Sequence, residues 1–386
     1  MKGRVGLLDR YVFTMALGSL GGMVLAMTAL IICVVALQEL DVVTNQGAAL
    51  ATFAVLTFLS LPALISLVAP IGLFLALLLT LNRLSAESEI VVMNASGGSP
   101  GGLFRPLFAV ALLVSLTVGI IGHFVAPPAQ MAWRLLVSEA RADLLSSAVR
   151  EGTFVRLQDG LTFHMRARQP GGLLTDIVIA DTSAYPEELI YFAERGTIVR
   201  TEQGSFLAVE DGMIQRRTLS DSGRLSNAYL YFDTYAIDLS FSEPGGASGF
   251  FKPSERSTRY LLNPEPDDPF FQARPGRFAE ELHTRLALPL YPLALAIIVA
   301  VALGTPHSGR AGRGKRVIAA IGAAALLQGA QFGSASLIAA APAAWPLIYM
   351  VPIAVFAGGL VLLRKRMELP RTRADSGTLD GRVAAE

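Results

Sequence analysis

Charge is what this 386-residue chain has least of: Lys, Arg, Asp and Glu together make up 16% of it, against about 25% in soluble globular domains. With 52% hydrophobic residues, that deficit excludes an ordinary water-soluble domain. The formal net charge of +1 excludes the strong basic field on which nucleic-acid binding depends. One cysteine, Cys33, excludes a disulfide framework; inside an apolar run it reads as a small packing residue. The four histidines, His123, His164, His283 and His307, have no metal-ligand neighbours at useful spacing, and no Gly-x-Ser-x-Gly elbow occurs. Neither a metal nor a cofactor is expected. A partial phosphate-loop match, Gly309-Arg310-Ala311-Gly312-Arg313-Gly314-Lys315, continues into Arg316 where a magnesium-liganding hydroxyl is required. If ATP is used, a partner hydrolyses it.

The chain is rich instead in uncharged runs: 11–37, 51–82, 106–130, 286–307 and 317–363 contain no Lys, Arg, Asp or Glu. Each exceeds the roughly 18–20 apolar residues that span a bilayer as a helix. The last is long enough for two passes and is broken at Ala341-Pro342-Ala343-Ala344-Trp345-Pro346, so six transmembrane helices are expected. The first run follows Lys2, Arg4 and Arg10 as a signal peptide would, but it is about twice the length of a usual h-region. Pro62, Pro70, Pro289 and Pro292 are expected to bend spans two and four. Gly18, Gly21 and Gly22 in the first span, and the GxxxG pair Gly329 and Gly333 in the fifth, are candidates for a close helix interface.

Lys and Arg alternate between the connecting segments. They occur before span one (Lys2, Arg4, Arg10), between spans two and three (Arg83, Arg105), after span four (Arg310, Arg313, Lys315, Arg316) and after span six (Arg364, Lys365, Arg366). The intervening loops around 39–47 and after span five carry none. By the positive-inside rule both termini and the 83–105 loop are cytoplasmic, and the long segment between spans three and four lies on the far side.

That segment changes period. Residues 127–150 alternate at helical spacing and read as an amphipathic stem, with Trp133 suited to the membrane surface. Residues 151–243 alternate with a period near two, as in Thr153-Phe154-Val155-Arg156-Leu157, and are punctuated by Asp159-Gly160, Pro170-Gly171-Gly172, Gln203-Gly204 and Asp211-Gly212. Eight to ten short strands in a sandwich or open roll are expected there. Residues 244–284, rich in Pro and Gly, read as a return linker, and 367–386 as a disordered cytoplasmic tail. The expected plan is helices one to three in 1–126, the inserted β domain, and helices four to six in 285–366.

Two sets of charged residues stand out. Arg134 just past span three, and His283 and Arg285 at the entry to span four, either snorkel to the headgroups or grip an anionic lipid headgroup. In the short connection between spans two and three, RLSAESEIVVMNASGGSP, Ser85 can cap a helix over about 85–96 with Glu87 and Glu89 in its first turn. Ile90, Val91, Val92 and Met93 are too apolar for a free loop, so this helix either lies on the membrane surface or docks in a partner.

Three spans, a β domain, three more spans and the segment RLSAESEIVVMNASG resemble the lipopolysaccharide-export permeases, the LptF/LptG family. LLDRY ending at Tyr11 and HTRLALPLYPLALA before span four extend the likeness over nearly the whole chain, and Ala86-Glu87-Ser88-Glu89-Ile90 with LLNPEPDDP looks more like LptF than LptG. The resemblance implies a permease subunit of an inner-membrane ABC transporter, without an ATPase site of its own. It implies a heterodimer with an LptG-type subunit around a lipid cavity and an LptB-type ATPase dimer beneath. It also implies a periplasmic β-jellyroll-like domain that passes lipopolysaccharide to a bridge of LptC and LptA. By the same likeness the 85–96 segment is a coupling helix, Glu89 its pairing acid, and Glu87, Ile90 and Met93 its neighbours. One departure is plain: family members often carry basic residues on the first span to meet lipid A phosphates, whereas here no Lys or Arg falls between Arg10 and Arg83. A membrane-anchored scaffold that moves no lipid is the alternative. Permeases of the lipoprotein-release type fit less well, because they insert their domain after span one.

Overall fold

The computed structural model describes residues 6–46, 50–87, 89, 100–147, 150–158, 160–182, 187–201, 204–219, 225–239, 251–304 and 310–368. Charge-free sequence becomes long helix throughout. Five stretches are long and apolar enough to cross a membrane: Leu7–Val34, Ala54–Ala86, Leu103–Ala140, Gly314–Ala340 and Pro342–Lys365. Pro275–Ala287 and Leu290–Leu303 make a sixth if taken as one span bent by 49°. In chain order the helices are α1 (Leu7–Gln46), α2 (Leu50–Ala86), α3 (Pro100–Ile120), α4 (Ala126–Ser147), the short α5 (Thr258–Leu262) and α6 (Pro269–Ala273), α7 (Pro275–Ala287), α8 (Leu290–Leu303), α9 (Arg310–Ala340) and α10 (Pro346–Glu368).

Proline acts differently in the two places where bends are expected. α2 continues through Pro62 and Pro70 as one helix. The chain turns instead between α7 and α8, where Pro289 caps α8 and Pro292 follows within its first turn. Proline has no N–H and its ring crowds the preceding turn, which breaks the helix there. The Ser115 hydroxyl of α3 donates to the Pro289 carbonyl, and Gly119 lets the same proline approach, because a Cβ there would lie 3.2 Å from its ring. Tyr291, fully buried, donates its hydroxyl to the Ile348 carbonyl at 3.2 Å and so ties α8 to α10. Around it Leu73, Leu77 and Leu81 of α2, Val110 and Val118 of α3, and Ala294 and Val299 of α8 form one apolar core.

A five-residue π turn, Ile121–Val125, joins α3 to α4 without interrupting the helical path. α4 occupies the stretch read as a stem and delivers the chain to a single antiparallel sheet. Its strands are β1 (Phe154–Gln158), β2 (Leu161–His164), β3 (Ala167–Arg168), β4 (Leu174–Asp181), β5 (Glu187–Thr201), β6 (Gly204–Leu219) and β7 (Leu225–Asp238). The order is β1-β2-β4-β5-β6-β7, with β3 paired to β4. The expected eight to ten short strands are therefore seven among the described residues, three of them 14 to 16 residues long.

The overcount has one source. Asp211-Gly212, which looks like a turn, lies inside β6. A Cβ on Gly212 would sit 2.2 Å from the Phe192 carbonyl oxygen and 2.5 Å from the Phe232 ring, so the glycine serves close approach rather than reversal. Asp211 has φ +55° and Asp176 of β4 φ +50°, a left-handed conformation that Asp tolerates better than most residues. The ladders step from Thr175↔Arg195 to Ile177↔Ala193, from Ala193↔Gly212 to Arg195↔Glu210, and from Glu210↔Thr234 to Gly212↔Phe232. Each step passes over one row made of Asp176, Glu194, Asp211 and Asp233, all exposed. Inward-facing parity reverses across that row: Leu189, Tyr191 and Ala193 are buried before it on β5 and Gly196 after it, while Leu207 and Val209 precede Ile214 on β6. The row is a transverse crease along which the sheet changes which side chains face its core. That core holds Phe163, Met165, Ile177, Ile179 and Tyr191 together with Ala142 of α4.

Candidate functional site

The first candidate site lies where the start of α1 meets the end of α2. The structure carries Ser85 and Ala86 in the last turn of α2, and the Glu87 amide donates to the Arg83 carbonyl at 3.0 Å. Ser85 is thus inside a helix and not its N-cap. Hydrophobic sequence continues α2 up to that point, leaving the Ser no extended backbone from which to cap. Glu87 pairs with Arg83 at 3.0 Å, one helical turn back, with both side chains exposed. Glu89 is helical, and its carboxylate accepts a hydrogen bond from the Tyr11 hydroxyl at 3.3 Å. Ile90 and Met93, with the rest of 90–99, lie outside the described residues, as does Gly309 of the phosphate-loop match, whose remainder opens α9. Sequence reasoning singled out both acids but missed Tyr11, whose role depends on a contact 78 residues away.

The second candidate set is drawn inward. Arg134 of α4 is 2% exposed and its guanidinium is shared by two carboxylates, Asp238 at the end of β7 and Glu255 at 2.7 Å. Glu255 also accepts from the Lys252 amide at 2.9 Å, closing the short 3-10 turn Pro253–Glu255. Arg285 of α7 donates to Glu281 at 2.6 Å and to the carbonyls of Pro253, Ser254 and Arg256 at 2.8 to 3.1 Å. Arg256 pairs with Asp268 at 2.6 Å and lies over the Tyr260 ring, 4.4 Å from its centroid. Asp268 caps α6 through the amides of Phe270 and Phe271 and accepts from the Tyr260 hydroxyl at 2.7 Å. Burial first, then that hydrogen bond, holds the Tyr260 hydroxyl above its ordinary pKa.

Residues 253–284, read from sequence as part of a return linker, are therefore largely helical and knitted by buried ion pairs. Pro and Gly there begin helices: Pro253, Pro269 and Pro275 each occupy a first-turn position, where the missing N–H costs nothing. His283 stacks on Trp345 at 5.2 Å and sits 3.0 Å from the Tyr349 hydroxyl. All three residues expected at a lipid headgroup thus have partners within the chain. His123 in the π turn joins the same region, 3.0 Å from the Thr258 hydroxyl.

The helix-interface glycines behave differently. A Cβ built on Gly18, Gly21, Gly22, Gly329 or Gly333 meets nothing within 4 Å, so these positions do not serve helix packing inside this chain. Among the described residues there is no group of three or more His, Cys, Asp or Glu able to hold a metal.

Comparison with known proteins agrees with this architecture. The model of the family described as lipopolysaccharide export system permease LptF/LptG matches residues 10–365. An uncharacterized protein of Rickettsia prowazekii is 24% identical over 268 residues, 68% of this chain and 73% of its own length. The lipopolysaccharide export system permease protein LptF of Escherichia coli K12 is 24% identical over 258 residues, 65% of this chain and 66% of that protein, and LptF of Shigella flexneri matches to the same extent. Helices of membrane-spanning length on both sides of an antiparallel sheet, and a family match from Arg10 into the last helix, make this chain a member of the LptF/LptG family of lipopolysaccharide export permeases.

Proposed function

We propose that the protein is the LptF-type half of an ABC exporter that takes lipopolysaccharide from the inner membrane towards the outer membrane. The observation that carries this reading is the family match running from the start of α1 almost to the end of α10. In it, six spans are arranged three and three about a jellyroll-like periplasmic domain, and both termini are cytoplasmic. ATP is hydrolysed by an LptB-type dimer, because the only phosphate-loop match in the sequence lacks its magnesium ligand.

The coupling element begins where α2 ends. Glu89, steadied by Tyr11, projects from the region that meets the ATPase, and Glu87 is occupied by Arg83. Ile90 and Met93 complete the docking face. The open glycines Gly18, Gly22, Gly329 and Gly333 support a helix interface with the LptG-type subunit, since small residues there allow close approach only to another chain. Tyr229 and Tyr231, 53% and 75% exposed on the edge strand β7, support strand addition by LptC and thence LptA. Arg134 and Arg285 hold the junction between sheet and helices, so lipid phosphates are met by the partner subunit.

Glu89→Gln tests the reading, because it keeps an oxygen for Tyr11 and removes only the charge. Losing one buried interfacial charge typically costs 2 kcal/mol or more, about thirtyfold in affinity. Co-purification of the ATPase should fall by about that factor, with export reduced in step. Unchanged ATPase attachment and full export would refute the role of Glu89.

A further inference from the structure

α8, α9 and α10 leave a cavity of about 360 Å³ between them, lined by Ile297, Val301, Ala320, Ala323, Val355 and Leu362. The volume falls within the roughly 300–1,000 Å³ of ordinary ligand pockets. Its walls are aliphatic except at one end, where Arg316 lines it. Arg316 is half-buried and makes no hydrogen bond or ion pair with a described residue. Lys315, Arg364 and Lys365 stand exposed at the same end, since α9 begins and α10 finishes there. Gly359 keeps α10 against α8, because a Cβ on it would lie 2.5 Å from Ile297, and so fixes the inner wall.

We infer that this cavity binds an acyl chain of an anionic phospholipid from the cytoplasmic leaflet, with its phosphate held by Arg316. A cleft between membrane-spanning helices is bathed by lipid tails, which accounts for the aliphatic walls. The cations confined to one end select a negative headgroup, and each is worth about 1 kcal/mol beside an anionic lipid, or about fivefold in affinity. The site lies apart from the glycine faces of α1 and α9 assigned above to the partner subunit, and it would anchor α8, α9 and α10 while the other helices move. The choice of leaflet rests on the orientation in the proposed function.

The test uses the intact transporter in nanodiscs containing phosphatidylglycerol and phosphatidylethanolamine, with bound lipids counted by native mass spectrometry. Retained phosphatidylglycerol should fall about fivefold in Arg316→Gln, and also in Ala323→Phe, which fills the cavity and leaves the charge. Phosphatidylethanolamine should not change. Equal retention of phosphatidylglycerol in parent and both variants overturns the inference. A failed orientation reads differently: Gly314→Cys in a Cys33→Ser background would then react with an impermeant maleimide from the periplasmic side, whereas the inference expects no labelling until the inner membrane is opened.

Discussion

Replacing Arg134 with alanine is expected to lower the stability of the sheet-to-helix junction by about 3–5 kcal/mol, the usual cost of removing one partner from a buried ion pair. The magnitude follows from what remains. Asp238 and Glu255 are 8% and 6% exposed at their side chains, so two carboxylates would be left in a dry site facing each other. Arg134 also lies over the Phe251 ring, 5.2 Å from its centroid, and its removal opens that stack. Three chain segments distant in sequence would lose their common tie: α4, the end of β7 and the turn at 253–255. Limited trypsin digestion should then cut after Arg256, which the parent protects through its pairing with Asp268, and the melting temperature should fall. The triple change Arg134→Met, Asp238→Leu, Glu255→Leu should restore most of the loss, since well-packed apolar residues often match or exceed a buried ion pair. A single variant that resists trypsin and melts with the parent would show that water reaches the triad and screens it.

Gly276→Ala is the second large effect. This glycine opens α7, and a Cβ on it would lie 2.0 Å from the Ala339 carbonyl oxygen and 2.9 Å from its carbonyl carbon. Those are backbone atoms near the end of α9, so no rotamer change can relieve the overlap and one helix must move. Alanine gains about 1 kcal/mol in helix propensity over glycine, yet overpacking costs about 1–3 kcal/mol, and an overlap with rigid backbone falls at the upper end of that range, so the net is destabilising. Gly358→Ala, where a Cβ meets nothing within 4 Å, is the control and should be neutral or slightly stabilising. Thermal unfolding of the two variants beside the parent decides the point; equal midpoints would mean that α7 is free to slide.

Helices were legible in the sequence because membrane spanning needs long charge-free runs, and each such run became helical, the last of them giving both α9 and α10. The bend between α7 and α8 was signalled by Pro289 and Pro292, while the same residue at Pro62 and Pro70 gave no break. Neighbouring packing, which a window of sequence does not contain, decides between those outcomes. Pro and Gly mark breaks in a window of sequence, yet Pro at a first helical position starts a helix, which is why Pro253, Pro269 and Pro275 open helices inside the expected linker. Asp211-Gly212 has the composition of a turn, and local composition does not distinguish a reversal from a close approach to Phe192 and Phe232.

At the sites, charged residues were found but their partners were not. Arg134 and Arg285 sit near span ends, where snorkelling is the usual fate. Glu281 is a local neighbour of Arg285, one turn back on α7, but Glu255 and the carbonyls of 253–256 become neighbours only after the polar segment folds back on α4 and α7. Glu89 and Glu87 stand out together in their own segment and only the family resemblance separates them, whereas Tyr11 needed the packing of α1 on α2 to bring it within reach.

The crease through Asp176, Glu194, Asp211 and Asp233 also sets what kinds of sequence change the sheet can absorb. On either side of it, position parity decides core or solvent, and the two sides use opposite parity. Inserting or deleting one residue within β4, β5 or β6 would send half a strand's core residues into water, whichever side it falls on. A length change is harmless only between strands. Relatives that keep this crease should therefore differ in the lengths of their loops and agree, to the residue, in the spacing from each strand's start to its crease position.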